Sequence, residues 1–374
     1  MKSLTQKSAK QVVGAGVRVV TLALFLVVFG AGAALAQTRG YVANGIAQSV
    51  SVIDPATNTI VATITLGATP NAIAVTPNGN FAYTANANNT VSVISAATNS
   101  VVTTVAVGAS PTGIAITPNG AFAYVANSGA NSVSVINTAT DTVTATIPGV
   151  ANPSQIAISA SGDFVYVTGN DGDLAGFVTK IDTATNMVAA TVLLPDSPGL
   201  AGIAITPNGA RAYVTNANGF DVFVIDTATN TLFTTVTVGS FPRRVDITPN
   251  GAFAYVCNGN DTVSVINTAT NTVDNTVAVA PFSLGLAIDP TGTSVYTTST
   301  NFVSSITVIS TASNTVTTTF SSGPGTGPVA IAFGVRTNGP TNKDQCKNGG
   351  WATFTNPTFK NQGQCIKFVN HMNE

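Results

Sequence analysis

The sequence predicts an all-β fold, a seven-bladed β-propeller of four-stranded antiparallel blades whose ring is closed by the C-terminal strand. Three observations carry that expectation. A tyrosine recurs at Tyr41, Tyr83, Tyr124, Tyr166, Tyr213, Tyr255 and Tyr296, with steps of 42, 41, 42, 47, 42 and 41 residues. Each unit reads as four short β-prone runs separated by turn residues. The units are also circularly offset, so that the last segment of the repeat region matches the missing first strand of the first unit. A fixed period of this length with four strands per unit is the signature of a propeller.

The unit around Tyr124 shows each element in order. Gly113–Thr117 (GIAIT) runs into the turn Pro118-Asn119-Gly120, and Ala121–Ala126 (AFAYVA) returns. Asn-Gly supplies the positive φ that a tight hairpin needs. After a polar loop come Ser132–Ile136 (SVSVI), the turn Asn137–Thr142 and the strand Val143–Ile147. Val, Ile, Thr and Tyr suit a pleated, packed surface. The first tyrosine lies in a second strand, Gly40-Tyr41-Val42-Ala43-Asn44, while Pro328–Phe333 (PVAIAF) reads as a first strand. Pairing the two removes the open edges that an incomplete ring would expose.

The ends of the chain differ from the repeats. Lys2, Lys7, Lys10 and Arg18 precede an apolar run, and Ala34-Leu35-Ala36 offers a cleavage site, so residues 1–36 read as a signal peptide. The expectation is export to the periplasm, the cell surface or the medium, with no membrane span left after cleavage. Residues 37–336 form the propeller, 337–343 a linker, and 344–374 a small module in which Cys346 and Cys365 enclose 18 residues. In an exported protein that pair is expected to form a disulfide, and closing such a loop contributes about 3 kcal/mol on the chain-entropy account.

Composition excludes several functions. From Gln37 to Arg336 there are 6 basic and 13 acidic residues, a net charge of −7 that repels phosphate backbones in bulk. The only histidine is His371 and the only glutamate is Glu374, so the propeller itself has no Ser-His-Asp or Cys-His site and no His-ligated zinc or haem. No cofactor is called for.

Tyr213-Val214-Thr215-Asn216, with Tyr124-Val125-Ala126-Asn127 and Tyr255-Val256-Cys257-Asn258, resembles the YVTN β-propeller repeat family over Gly40 to about Val335. The resemblance implies kinship with seven-bladed lactonase-type propellers and prokaryotic surface-layer propellers. Lactonase-like sites of that kind lean on His or Glu at the channel mouth, which this chain lacks, so the activity is not carried over. The text around Cys346 and Cys365 also resembles a short tail on secreted bacterial proteins. Its aromatics read either as a tiny core or as a contact with an envelope polymer.

Seven internal copies provide their own comparison, and function is sought where one copy departs from the rest. Phe241-Pro242-Arg243-Arg244-Val245-Asp246 stands where others carry Asn71-Ala72, Ser154-Gln155 or Ala201-Gly202. Arg243 and Arg244, with Asp246, Gln155 and Asn71, are therefore the candidate ligand-binding set for a small anion at the channel mouth. The plainer alternative has Asp246 neutralise one arginine. Asp246 is also the one weak candidate for a catalytic base. Asp171 and Asp173, in the widened loop Gly169–Gly176, are weak candidates for Ca²⁺, lacking the distal Glu of an EF-hand. Cys257, unpaired within the propeller, reads as a small buried thiol. The Asn that ends the second strands (Asn44, Asn86, Asn127, Asn216, Asn258) is expected to bond the following loop's backbone. Together these readings favour a non-catalytic binding or scaffold propeller at the envelope, recognising an anionic ligand or an envelope protein or polymer. The alternatives are a lactonase-like hydrolase using Asp246 with Arg243 and Arg244, or a structural surface-layer component.

Overall fold

A computed structural model describes residues 37–172, 175–194, 196–300 and 303–336, and residue 362. The expected signal peptide, the linker, the Cys346–Cys365 module apart from residue 362, and Asp173 lie outside the described residues. Within them the chain forms seven four-stranded antiparallel sheets. Their inner strands are Pro328–Arg336 in blade 1, Pro70–Val75 in blade 2, Pro111–Ile116 in blade 3, Ile156–Ile158 in blade 4, Leu200–Ile205 in blade 5, Pro242–Ile247 in blade 6 and Ser283–Ile288 in blade 7.

Blade 1 closes the ring as the offset of the repeats requires. Gln37–Asn44 pairs on one side with Ser49–Asp54 and on the other with Pro328–Arg336, with Tyr41 opposite Ala332 and Gln37 opposite Arg336. The third and outer strands of each blade join through a turn whose last residue adopts a left-handed conformation, as at Asn58 (φ 52°), Asp141 (51°) and Asn271 (56°). Asn and Asp tolerate that region better than other side chains, which accounts for the recurring Thr-Ala-Thr-Asn text.

The same turns explain the tyrosine repeat. Each ring is buried between blades, and in five of the seven blades its hydroxyl donates to the left-handed residue of the next blade's outer hairpin. Tyr83 reaches Asp141 (2.8 Å), Tyr124 Asn186 (2.8 Å), Tyr213 Asn271 (2.6 Å) and Tyr255 Asn314 (2.6 Å). Tyr296 of blade 7 reaches Asn58 of blade 1 (3.2 Å), carrying the relay across the closure. Around Tyr166 a lysine intervenes: Lys180 Nζ lies over the Phe164 ring at 4.1 Å and donates to the Thr227 carbonyl at 2.9 Å. Burial pushes the phenols of Tyr124, Tyr213, Tyr255 and Tyr296 up to about 12. Tyr213→Phe, which removes one hydroxyl and leaves its partner able to meet water, should cost about 0.5–1.5 kcal/mol, read as a lower urea midpoint with an unchanged slope.

One expectation is corrected. The amides of Asn44, Asn86, Asn127 and Asn258 do not bond the loop backbone. They donate across the sheet to hydroxyls on the third strand: Asn44 to Ser49 and Ser51, Asn127 to Ser132 and Ser134, Asn86 to Thr90 and Ser92, Asn258 to Thr262 and Ser264. The loop turns back so tightly that the third strand, not the loop, lies within reach. Asn216, whose Oδ1 accepts the Asn218 N–H at 3.3 Å, behaves as expected. Among the described residues no helix is long and apolar enough to cross a membrane.

Candidate functional site

The seven inner strands line the central channel with residues at equivalent positions. At the third position stand Ala72, Gly113, Gln155, Gly202, Arg244, Gly285 and Ala330. At the fourth stand apolar side chains such as Ile73, Ile114, Val245 and Leu286. All but Gly113 of the first set meet in a channel cavity of about 110 Å³. Among the described residues, Arg244 and Gln155 are thus the only long polar side chains in a wall otherwise made of hydrogen, methyl and aliphatic groups.

The glycines keep this wall tight. A Cβ on Gly202 would stand 2.7 Å from the Arg243 carbonyl oxygen and 2.9 Å from the Arg244 Cα. Blade 5 therefore presses directly on the backbone that carries both arginines. Thr215 fixes the same junction: its hydroxyl accepts the Gly202 N–H (2.7 Å) and donates to the Arg243 carbonyl (3.0 Å). On the other side, Cys257 sits opposite Arg244 in register and donates to the Ser283 carbonyl of blade 7 at 3.4 Å. The thiol is wholly buried, and burial pushes it up to about 12 against the pull of Arg243 and Arg244. Cys257 is thus a protonated inter-blade contact.

The candidate residues separate on inspection. Arg244 lines the channel, half-buried, and Arg243 is exposed at the mouth. Burial lowers the Arg244 guanidinium to about 10, which leaves it charged at neutral pH. Among the described residues, neither arginine has an ion-pair partner or a side-chain hydrogen bond; the two ion pairs are Arg39–Asp54 (2.9 Å) and Arg211–Asp226 (2.7 Å). The expectation that Asp246 neutralises an arginine is therefore corrected. Its Oδ1 accepts the Ile247 N–H and its Oδ2 the Ile288 N–H of blade 7, both at 2.9 Å. The carboxylate is turned into the seam between blades 6 and 7, at a position where the other blades carry alanine.

Gln155 donates through Nε2 to the Thr112 carbonyl (3.0 Å), leaving its Oε1 as an acceptor in the channel. Asn71 donates to the Pro111 carbonyl of blade 3 (2.9 Å) and is not part of the channel wall. Asp171 accepts the Ala175 N–H (3.0 Å) and closes its own loop. Among the described residues no three His, Cys, Asp or Glu side chains gather as a metal site. A second cavity, about 490 Å³, opens on the opposite face where blade 7 meets blade 1. There Ser294 replaces the Phe or Arg found two residues before the tyrosine in other blades. Arg39 and Asp54 pair with each other there, and Asp289 accepts from Thr291, Thr293 and Ser294.

Asp246 has a consequence for stability. Burial, opposed by the two backbone donors, raises it from 3.8 to about 6. The fold therefore holds a proton that the unfolded chain releases, so this residue's contribution is most favourable below about pH 4 and declines as pH rises to about 6. Wild type minus Asp246→Asn, followed by chemical denaturation, should change by on the order of 2–3 kcal/mol across that window and be flat above pH 7. A difference independent of pH would contradict this.

The phenylalanines beside the arginines were not singled out by sequence. The signal was available: the residue before each inner strand is Thr69, Ser110, Gly199, Phe241, Phe282 or Gly327 in six blades, so two aromatics stand out.

Seven closed four-stranded blades make the described chain a seven-bladed β-propeller. Residues 57–198, well under half of the chain, match the family model described as a seven-bladed β-propeller lactonase. Among solved structures the chain is similar to the hydrazine synthase of Kuenenia stuttgartiensis, at 23% identity and a TM-score of 0.67 over 73% of this chain and 92% of that one. It is similar also to a functionally unknown protein from Desulfotomaculum acetoxidans, at 20% identity and a TM-score of 0.66 over 79% and 98%. At these identities the likeness speaks for the fold alone. No curated protein gives a significant match.

Proposed function

We propose that the protein is an exported, non-catalytic recognition propeller that binds an anionic group at its channel mouth, with Arg244 as the principal contact and Arg243 as the outer one. One observation carries the reading: Arg244 is a charged guanidinium in a narrow channel with no carboxylate or carbonyl paired to it among the described residues. A half-buried cation without a partner carries a desolvation cost, and an anion with two oxygens matches the guanidinium fork. The channel volume, about 110 Å³, suits a carboxylate or similar small group.

A second reading, a lactonase-like hydrolase, draws support from the family match and from the raised Asp246 carboxyl. It is weaker because the matched residues 57–198 include neither arginine nor Asp246, and both carboxylate oxygens accept backbone N–H groups. Calorimetric titration with acetate, sulfate and phosphate separates the two. The binding reading expects Arg244→Ala to weaken the preferred anion about 10- to 100-fold, the loss of one charge-assisted contact, with Asp246→Asn close to wild type. Lactone hydrolysis lost in Asp246→Asn would favour the hydrolase, and equal anion affinities in wild type and Arg244→Ala would remove the binding reading.

A further inference from the structure

The rim of the channel mouth has two unlike halves. In blades 6 and 7 the residue entering the inner strand is phenylalanine in the left-handed region: Phe241 at φ 55° and Phe282 at φ 59°. A bulky side chain is disfavoured in that conformation, and blades 1, 3 and 4 use Gly327, Ser110 and Asn152 there. Neither ring is sheltered, for Phe241 is 51% and Phe282 67% exposed. Strained backbone and solvated aromatic surface coincide at two adjacent blades.

Neighbouring loops extend the patch. The Phe241 N–H donates to the Gly219 carbonyl (2.9 Å), which brings exposed Phe220 of blade 5 alongside. The Thr300 N–H donates to the Phe282 carbonyl (3.2 Å), linking the loop that carries exposed Val303. In blade 1, Ile46, 72% exposed, sits over Gly327. The arc therefore crosses four consecutive blades. The rest of the rim is polar, with Asn88, Asn89, Ser110 and Asn152 exposed. Exposed apolar side chains gathered on one side of a rim and bordered by polar residues mark an interaction surface.

We infer that this arc docks the carboxyl-terminal end of a partner polypeptide, its apolar side chains on Phe220, Phe241 and Phe282 and its terminal carboxylate on the arginines. The inference rests on the anion-binding reading above. A polypeptide fits better than a free small anion because the arc reaches well beyond the 110 Å³ channel cavity. It fits better than an anionic bilayer because the propeller is net negative, Asp221 follows Phe220 at the start of its strand, and the Asp261 carboxylate accepts the Phe282 N–H. The terminal group suits the channel, where Arg244 offers donors to a carboxylate and the Gln155 Oε1 an acceptor for the adjoining peptide N–H.

The test uses fluorescence anisotropy with labelled pools of apolar hexapeptides, made once as free acids and once as C-terminal amides. The free-acid pool should bind, with at least a tenfold loss on amidation or on Arg244→Ala. Phe241→Asn and Phe282→Asn should lose binding by a similar factor while melting at an equal or higher temperature, because Asn accepts the left-handed region. Acetate binding through Arg244 with no peptide binding overturns this inference alone; loss of both overturns the anion reading with it. Phe variants that melt lower and bind normally would make the rings structural and overturn it. So would preferential binding to phosphatidylglycerol vesicles.

Discussion

A chain ended after Gly327 should fail to form the propeller. It keeps every strand except Pro328–Arg336, yet loses the inner strand of blade 1. Buried Ala330 and Ile331 disappear, as does Phe333, whose ring packs on Tyr296 at 4.8 Å between centroids. Two large apolar side chains at about 1.5–3 kcal/mol each, with the ladder to Gln37–Asn44, remove most of a typical 5–15 kcal/mol of stability. The strand Gln37–Asn44 would also be left with an open edge, which invites association. Calorimetry should show no cooperative transition, and adding the 328–336 peptide in trans should restore one. A truncated chain that melts like the full one would mean that the ring does not depend on its closure.

The second large effect is at Gly202. Valine there would drive a branched side chain into the Arg243 carbonyl and the Arg244 Cα, contacts already below 3 Å for a bare Cβ. Backbone cannot rotate away as a side chain can, so blades 5 and 6 must separate and the Thr215 bridge between them must lengthen. The expected cost is about 2–4 kcal/mol, or a melting point lower by roughly 5–10 °C. Anion binding should weaken as well, because the displaced strand carries both arginines. Val at Ala72, an equivalent position where a methyl is already accepted, should cost clearly less.

The fold was legible because each blade needs the same things. Tyr recurs since every blade buries a ring there and five of the seven satisfy its hydroxyl on the next hairpin, and Asn or Asp recurs in that hairpin because the turn is left-handed. The third-strand hydroxyls that hold Asn44 and Asn127 were visible as Ser-x-Ser text, but only the register shows which of them an amide can reach. The arginines were legible as departures from the repeat. What became of Asp246 was not, because its partners are backbone N–H groups, one of them 42 residues away, and those carry no residue-type signal. That Gln155 and Arg244 share the channel likewise follows from ring geometry, with Gly202 of blade 5 between them.

The most direct test is a crystal of the protein soaked in bromide, read by anomalous scattering. The account predicts a peak in the central channel within contact distance of the Arg244 guanidinium, with Asp246 still bonded to the Ile288 N–H. A channel without a peak, in which Asp246 has swung onto Arg244 as an internal ion pair, would contradict it.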